Sequence, residues 1–132
     1  MKFFSFFDSN TGQVSKTDKQ LNEIKEWRTK TPDISYEQMR SRISEIKAEI
    51  KKVVDEIAEE DKLSLSKVER GKGLPEQEKA VQKKLYEVMP EVYAYVDEIF
   101  FRKMGFRYHD VQLRAGIILA QGQRLAELYT GE

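Results

Sequence analysis

Apolar residues recur along most of this chain at helical spacing. Leu21, Ile24 and Trp27 fall on one side of a segment running from Thr17 to about Lys30. Thr17-Asp18-Lys19-Gln20 has the form of a capping box, with a hydroxyl at the cap and an amide side chain three residues on. Pro32 ends that helix or follows its end. Ser35-Tyr36-Glu37-Gln38 repeats the signal and opens the clearest helix, Tyr36 to about Glu60. Its apolar positions are Met39, Ile43, Ile46, Ile50, Val53 and Ile57, in alternating steps of four and three that keep one narrow seam in line. Such a seam suits an amphipathic helix docked on its neighbours; a coiled-coil dimer is the alternative. The stretch 62–73 loses the period and ends in Gly71-Lys72-Gly73, which marks a linker. No strand leads into those glycines, so they are not a phosphate loop. Pro75 suits the first turn of another helix, with Val81, Leu85 and Val88 inward. Pro90 does the same for a further helix to about Met104, closed by Gly105. Tyr93, Val96, Ile99, Phe100 and Met104 are its expected buried side.

The pattern then changes. Asp110 is a good N-cap, and Val111, Leu113, Ala115, Ile117, Ile118, Leu119 and Ala120 make a helix that is apolar on most sides. Such a helix belongs inside a larger domain rather than on a surface. Gly122 is a stop signal, and Leu125 to Tyr129 is a short apolar run that fits a buried strand. Thr130-Gly131-Glu132 follows. A strand entering a glycine-containing loop is the layout of nucleotide sites in which loop amides hold phosphate. The expected fold is mainly α: a helical lead-in, then the first helix and strand of a truncated α/β P-loop (RecA-like) nucleotide-binding domain. Residues 1–16 form an N-terminal apolar or flexible segment, 17–104 the lead-in, and 105–132 the start of that domain.

Pro90 to Glu132 closely resembles the start of the nucleotide-binding domain of the SecA family, the motor ATPases of bacterial preprotein export. The resemblance rests on Pro90-Glu91, Glu98, Arg102, Gly105 and Arg107, then on Asp110-Val111-Gln112-Leu113, Gly116 and Leu119. Ala126-Glu127 and Thr130-Gly131-Glu132 follow in register. His109 stands where the family usually has phenylalanine, Ala115 replaces a glycine, and Leu128 replaces a methionine. The Gly-Lys-Thr that completes the family's loop does not follow Glu132 in this sequence.

The resemblance implies ATP as ligand, with Mg2+ in the complete protein. Gln112 becomes the residue that reads adenine, because a carboxamide can donate to one base atom and accept from another; without the resemblance it is an ordinary exposed amide. Arg107 would stack on the base or border it. Thr130, Gly131 and Glu132 would begin the phosphate loop, Gly131 by allowing close backbone approach and Glu132 through its amide. The loop lysine, the magnesium-binding threonine and the later carboxylates of the family are not in these 132 residues. The chain by itself is therefore expected to carry no catalytic residue and to turn over no ATP. The family's partners are a membrane protein-conducting channel and unfolded preproteins, at the inner face of the bacterial membrane.

Composition narrows the alternatives. Lys+Arg and Asp+Glu are 23 each, so no overall field favours nucleic acid or a membrane surface. The basic residues form no stripe, and no nucleic-acid partner is expected. There is no cysteine and a single histidine, which rules out thiol chemistry and a multi-histidine metal site within the chain. His109 has no partner motif for acid–base work and is expected to pack. Met1 to Phe7 is too short for a secretory signal or a membrane span. Phe3, Phe4, Phe6 and Phe7 either dock on the body or touch a membrane surface or partner. A stand-alone helical interaction module, using the Tyr36–Glu60 helix, is the competing reading of the whole.

Overall fold

The computed structural model describes residues 17–64 and 76–121. The phenylalanines of the first seven residues, Pro75, the Gly71-Lys72-Gly73 turn, Gly122, the expected strand 125–129 and Thr130-Gly131-Glu132 lie outside the described residues. The described part is mainly helical. Helix α1 is Asp18–Lys30, followed by a 3₁₀ turn Thr31–Asp33; α2 is Tyr36–Ser64, α3 is Glu76–Met104 and α4 is Asp110–Ala120. No strand occurs among the described residues. The described residues fall into two compact units: one joins the described residues up to Ile34 with those from Pro90 onward, and the other comprises those between Ser35 and Met89.

In the second unit the capping box at Ser35 forms as the sequence predicts. The Ser35 amide donates to Gln38 Oε1 at 2.8 Å, and the Gln38 amide donates to Ser35 Oγ at 3.2 Å. This satisfies two amides that a helix start would otherwise leave without intrahelical partners. Met39 and Ile46 of α2 are buried, and Ile43, Ile50 and Val53 are half-buried, so the four-three stripe is the inward side. Helix α2 continues to Ser64, past the expected end near Glu60, so the first residues of the presumed linker are helical. Val88 is buried, Val81 half-buried and Leu85 exposed. Glu49 accepts from Lys84 at 2.7 Å and from Arg42 at 3.0 Å.

Pro90 does not start a new helix. Helix α3 runs unbroken from Glu76 to Met104 with Pro90 inside it. A proline there removes one intrahelical hydrogen bond and crowds the preceding turn. Pro90 is fully buried, and packing of this kind is what offsets such a cost. The division between the two units falls at this residue.

In the first unit, Leu21 and Ile24 of α1, Ala94 and Tyr95 of α3, and Leu113, Ala115 and Ile117 of α4 are buried. Trp27 meets Tyr95 edge-on, with ring centroids 6.1 Å apart. Thr17 caps α1 only by position. Its side chain bonds no amide of the first turn, and its backbone is already helical. The hydroxyl instead accepts from Arg114 of α4 at 2.7 Å. The tertiary bond displaces the local cap because Thr17 is fully buried and a guanidinium is the stronger donor. Helix α4 is less enclosed than its composition suggests: Val111 and Leu119 are exposed. Tyr93 lies across it at Gly116, where the phenol donates to the Gly116 carbonyl at 3.0 Å. A Cβ at that glycine would sit 3.1 Å from the Tyr93 ring. Burial raises the Tyr93 phenol pKa, which keeps it protonated as a donor.

Helix α3 ends as expected at Gly105. Its φ is +82°, and its amide reaches back to the Phe101 carbonyl at 2.8 Å. Nothing lies within 4 Å of where a Cβ would stand, so a substitution meets only the backbone cost. Gly105→Ala is expected to destabilise the chain by about 1–2 kcal/mol in chemical denaturation, and Gly105→Asn by less, because asparagine tolerates the left-handed region. Equal costs for the two would show that the cap conformation is not what Gly105 supplies.

Candidate functional site

The C-terminal half of α3 carries two adjacent acids, Asp97 and Glu98, on its buried side: Asp97 is 0% and Glu98 3% exposed. The apolar pattern had assigned that side to Val96 and Met104, which are instead 50% and 59% exposed. Buried carboxylates are costly unless paired and hydrogen-bonded, and here both are. Asp97 Oδ1 accepts from Arg28 Nη2 at 2.8 Å and from the Tyr108 amide at 2.9 Å, while Oδ2 accepts from Arg107 Nη1 at 2.8 Å. Glu98 accepts from Arg107 Nη2 at 2.6 Å and from Arg102 Nε at 2.8 Å. Arg102 Nη2 also donates to the carbonyls of Thr31 at 3.0 Å and Ile34 at 2.7 Å. Three guanidiniums and two carboxylates therefore tie α1, the 3₁₀ turn, α3 and the segment 105–109 together.

Arg107 is spent on this network. Its two ends bridge Asp97 and Glu98, and its Cζ lies 4.3 Å from the Phe101 ring centre. Fork-shaped pairing of this kind fixes the side chain as well as the charge. The segment it holds is also packed by aromatic rings. Phe100 meets Phe106 edge-on at 4.8 Å and stacks on Tyr108 at 4.7 Å.

Helix α4 starts one residue away from the expected cap. His109, not Asp110, is the N-cap, and its backbone is extended. The His109 amide donates to Gln112 Oε1 at 2.9 Å, the return half of a capping box. His109 is exposed, so it is not the packing residue the sequence suggests. Asp110 is the first helical residue, where a carboxylate suits the positive end of the helix dipole, and it pairs with Lys25 of α1 at 2.6 Å.

Gln112 is exposed at the edge of a cavity of about 260 Å³. Its other walls are Val92, Tyr93 and Val96 of α3, Tyr108 of the connecting segment and Leu113 of α4. These walls are mostly apolar with one amide at the rim, which is the pattern of small-molecule sites. Of the sequence-predicted residues, Gln112 lines the cavity, Arg107 lies in the ion-pair network, and Thr130, Gly131 and Glu132 are outside the described residues. The sequence reading missed Asp97, Glu98, Arg28 and Tyr108. The available signal was an acidic pair inside the otherwise apolar run from Val92 to Phe101, followed by arginines at 102 and 107. Among the described residues no group of three or more His, Asp or Glu side chains could hold a metal ion. No helix among them is long and apolar enough to cross a membrane.

Residues 3–132 match the family model described as the SecA DEAD-like domain, and the chain belongs to that family. The protein translocase subunit SecA of Acidobacterium capsulatum is 38% identical over 99 residues, covering 75% of this chain and 8% of the relative. That of Herpetosiphon aurantiacus is 32% identical over 133 residues, covering 95% of the chain and 13% of the relative. That of Solidesulfovibrio magneticus is 48% identical over 56 residues, covering 42% of the chain and 7% of the relative. The chain thus spans about a tenth of the length of these relatives. No solved structure matches it.

Burial opposes ionisation of Glu98, but hydrogen bonds from Arg107 and Arg102 outweigh it and hold the carboxyl below its ordinary value of 4.5. A carboxyl depressed on folding adds stability above its unfolded pKa and loses it as pH falls through the folded one. The denaturation midpoint is therefore expected to drop as pH is lowered below about 4.5, and Glu98→Gln should flatten that fall. Half-buried Glu49, held low by Lys84 and then Arg42, acts in the same direction and makes Glu49→Gln the comparison. An acid limb unchanged by Glu98→Gln would contradict the role given to Arg107 and Arg102.

Proposed function

We propose that this chain serves as the N-terminal part of a SecA-type, ATP-driven protein translocase subunit and supplies its adenine-contacting segment. The observation that carries this reading is the place of Gln112 at the rim of an apolar cavity large enough to accept a flat ring. A base lying against Val92, Val96 and Tyr108 would bring its edge to the carboxamide. Gln112 Oε1 already accepts from His109, and its second lone pair is suited to an exocyclic amine while the side-chain N–H group is suited to a ring nitrogen. Arg107 borders this segment and acts on the base through the fold, because both its ends are held by carboxylates. Thr130, Gly131 and Glu132 would open the phosphate loop, and Mg2+ would enter with ATP in the complete protein.

The complete protein would couple ATP binding and hydrolysis to moving unfolded preproteins through a membrane channel. It would work in the bacterial cytoplasm at the inner face of the membrane, with Phe3, Phe4, Phe6 and Phe7 as a peripheral contact. Support for that wider role comes from family membership, in which the relatives carry the name protein translocase subunit SecA.

Gln112→Ala is expected to weaken ATP binding by about fivefold or more, with little change for GTP, as loss of a base contact worth about 1–3 kcal/mol requires. Equilibrium binding of both nucleotides checks this, and equal losses for ATP and GTP would remove the base assignment. The 132-residue chain is expected to show no ATP turnover above that of Gln112→Ala; a clear excess would contradict the division of labour proposed here.

A further inference from the structure

The peptide joining Tyr108 to His109 is held from both sides. Its carbonyl accepts from Arg28 Nη2 at 2.8 Å, and its N–H donates to Gln112 Oε1 at 2.9 Å. The same Arg28 nitrogen donates its other hydrogen to Asp97 Oδ1 at 2.8 Å, and that oxygen also accepts from the Tyr108 amide. Asp97 is fully buried and further fixed by Arg107. A peptide unit is planar, so locking its carbonyl also fixes the direction of its N–H. A cation on the carbonyl polarises the unit and strengthens that N–H as a donor. A carboxamide can turn over by half a rotation and exchange its oxygen and nitrogen; an N–H aimed at it can donate only to the oxygen.

We infer that Arg28, seated by Asp97, is a positioning residue for Gln112: through the Tyr108–His109 peptide it sets which end of the carboxamide faces the cavity. Arg28 does not itself line the cavity; it reaches the wall residue Tyr108 only at its backbone carbonyl. It stands 84 residues from Gln112 in sequence and acts through one shared peptide plane. The inference rests on Gln112 being the base-reading residue. Its first step, the ordering of the amide, can be read without any nucleotide.

The test uses the full chain with Arg28→Gln, and Arg28→Lys as the conservative rescue, since a single nitrogen makes both of the native bonds. In the unliganded wild type, nuclear magnetic resonance is expected to show a hydrogen-bond coupling from the His109 N–H to the Gln112 side-chain carbonyl, and an ordered Gln112 amide. In Arg28→Gln that coupling should vanish and the preference for ATP over GTP should fall about fivefold or more, the loss expected when the base contact of Gln112 is lost. Affinity for GTP itself should change little, and Arg28→Lys should restore most of the preference. An ordered Gln112 amide in Arg28→Gln, or an equal loss for both nucleotides, would overturn the positioning role. Absence of the coupling in the wild type would overturn it without any variant. Loss of amide order in Arg28→Gln with a nucleotide preference that Gln112→Ala also leaves unchanged would uphold the positioning step and sink the base-reading assignment.

Discussion

Everything in the first unit depends on two neighbouring carboxylates that the fold places out of water. Asp97 and Glu98 sit where an α-helix of this composition would ordinarily bury valine or leucine. Removing such charges from solvent costs several kcal/mol each unless partners replace the lost hydration. Arg28, Arg107 and Arg102 supply those partners from α1, from the segment after α3 and from α3 itself. Each arginine also reaches a further oxygen or ring: Tyr108, Phe101, or the carbonyls of Thr31 and Ile34. The network therefore specifies geometry as well as charge balance. Hydrocarbon side chains could fill the same space but would not dictate where the backbone of 105–109 runs.

That geometry bears on the site. The segment between Gly105 and Asp110 has no regular hydrogen bonding of its own, and a short loop of this kind needs outside contacts to be held in one conformation. Here the contacts are ionic at Asp97 and aromatic at Phe100. They place Tyr108 against the cavity and put the His109 amide where Gln112 can accept from it. Capping and the proposed base contact then meet in one side chain. A glutamine at the third helical position closes the start of α4 and stands at the cavity rim, so a change there would be felt in both the fold and the proposed site.

Much of the local structure was legible in the residues. The Ser35–Gln38 box, the four-three stripe of α2, the glycine stop at Gly105 and the pair Leu21 and Ile24 follow from near-neighbour chemistry. The misreadings share a different cause. Thr17 looks like a cap but is claimed by Arg114, a residue 97 positions away. Pro90 looks like a helix start, yet it is buried inside an unbroken helix. Val96 and Met104 look like core and are exposed, because the facing side of α3 is ionic. In each case a tertiary partner outweighs the local preference, and no periodicity in the chain encodes which distant residue that partner is. Gln112 could be proposed from its motif, whereas the hydrogen bonds that join it to Arg28 through the Tyr108–His109 peptide became visible only with the fold.

The most direct measurement is a double-mutant cycle on Asp97 and Arg107 by chemical denaturation, using Asp97→Ala, Arg107→Ala and the pair. If the buried carboxylates organise this unit, each single change leaves an uncompensated charge, and the double variant is much less harmed than the sum. A coupling of about 1.5 kcal/mol or more is expected for such a contact. A coupling near zero would mean that the two side chains contribute independently and that the unit is held together by its apolar contacts alone.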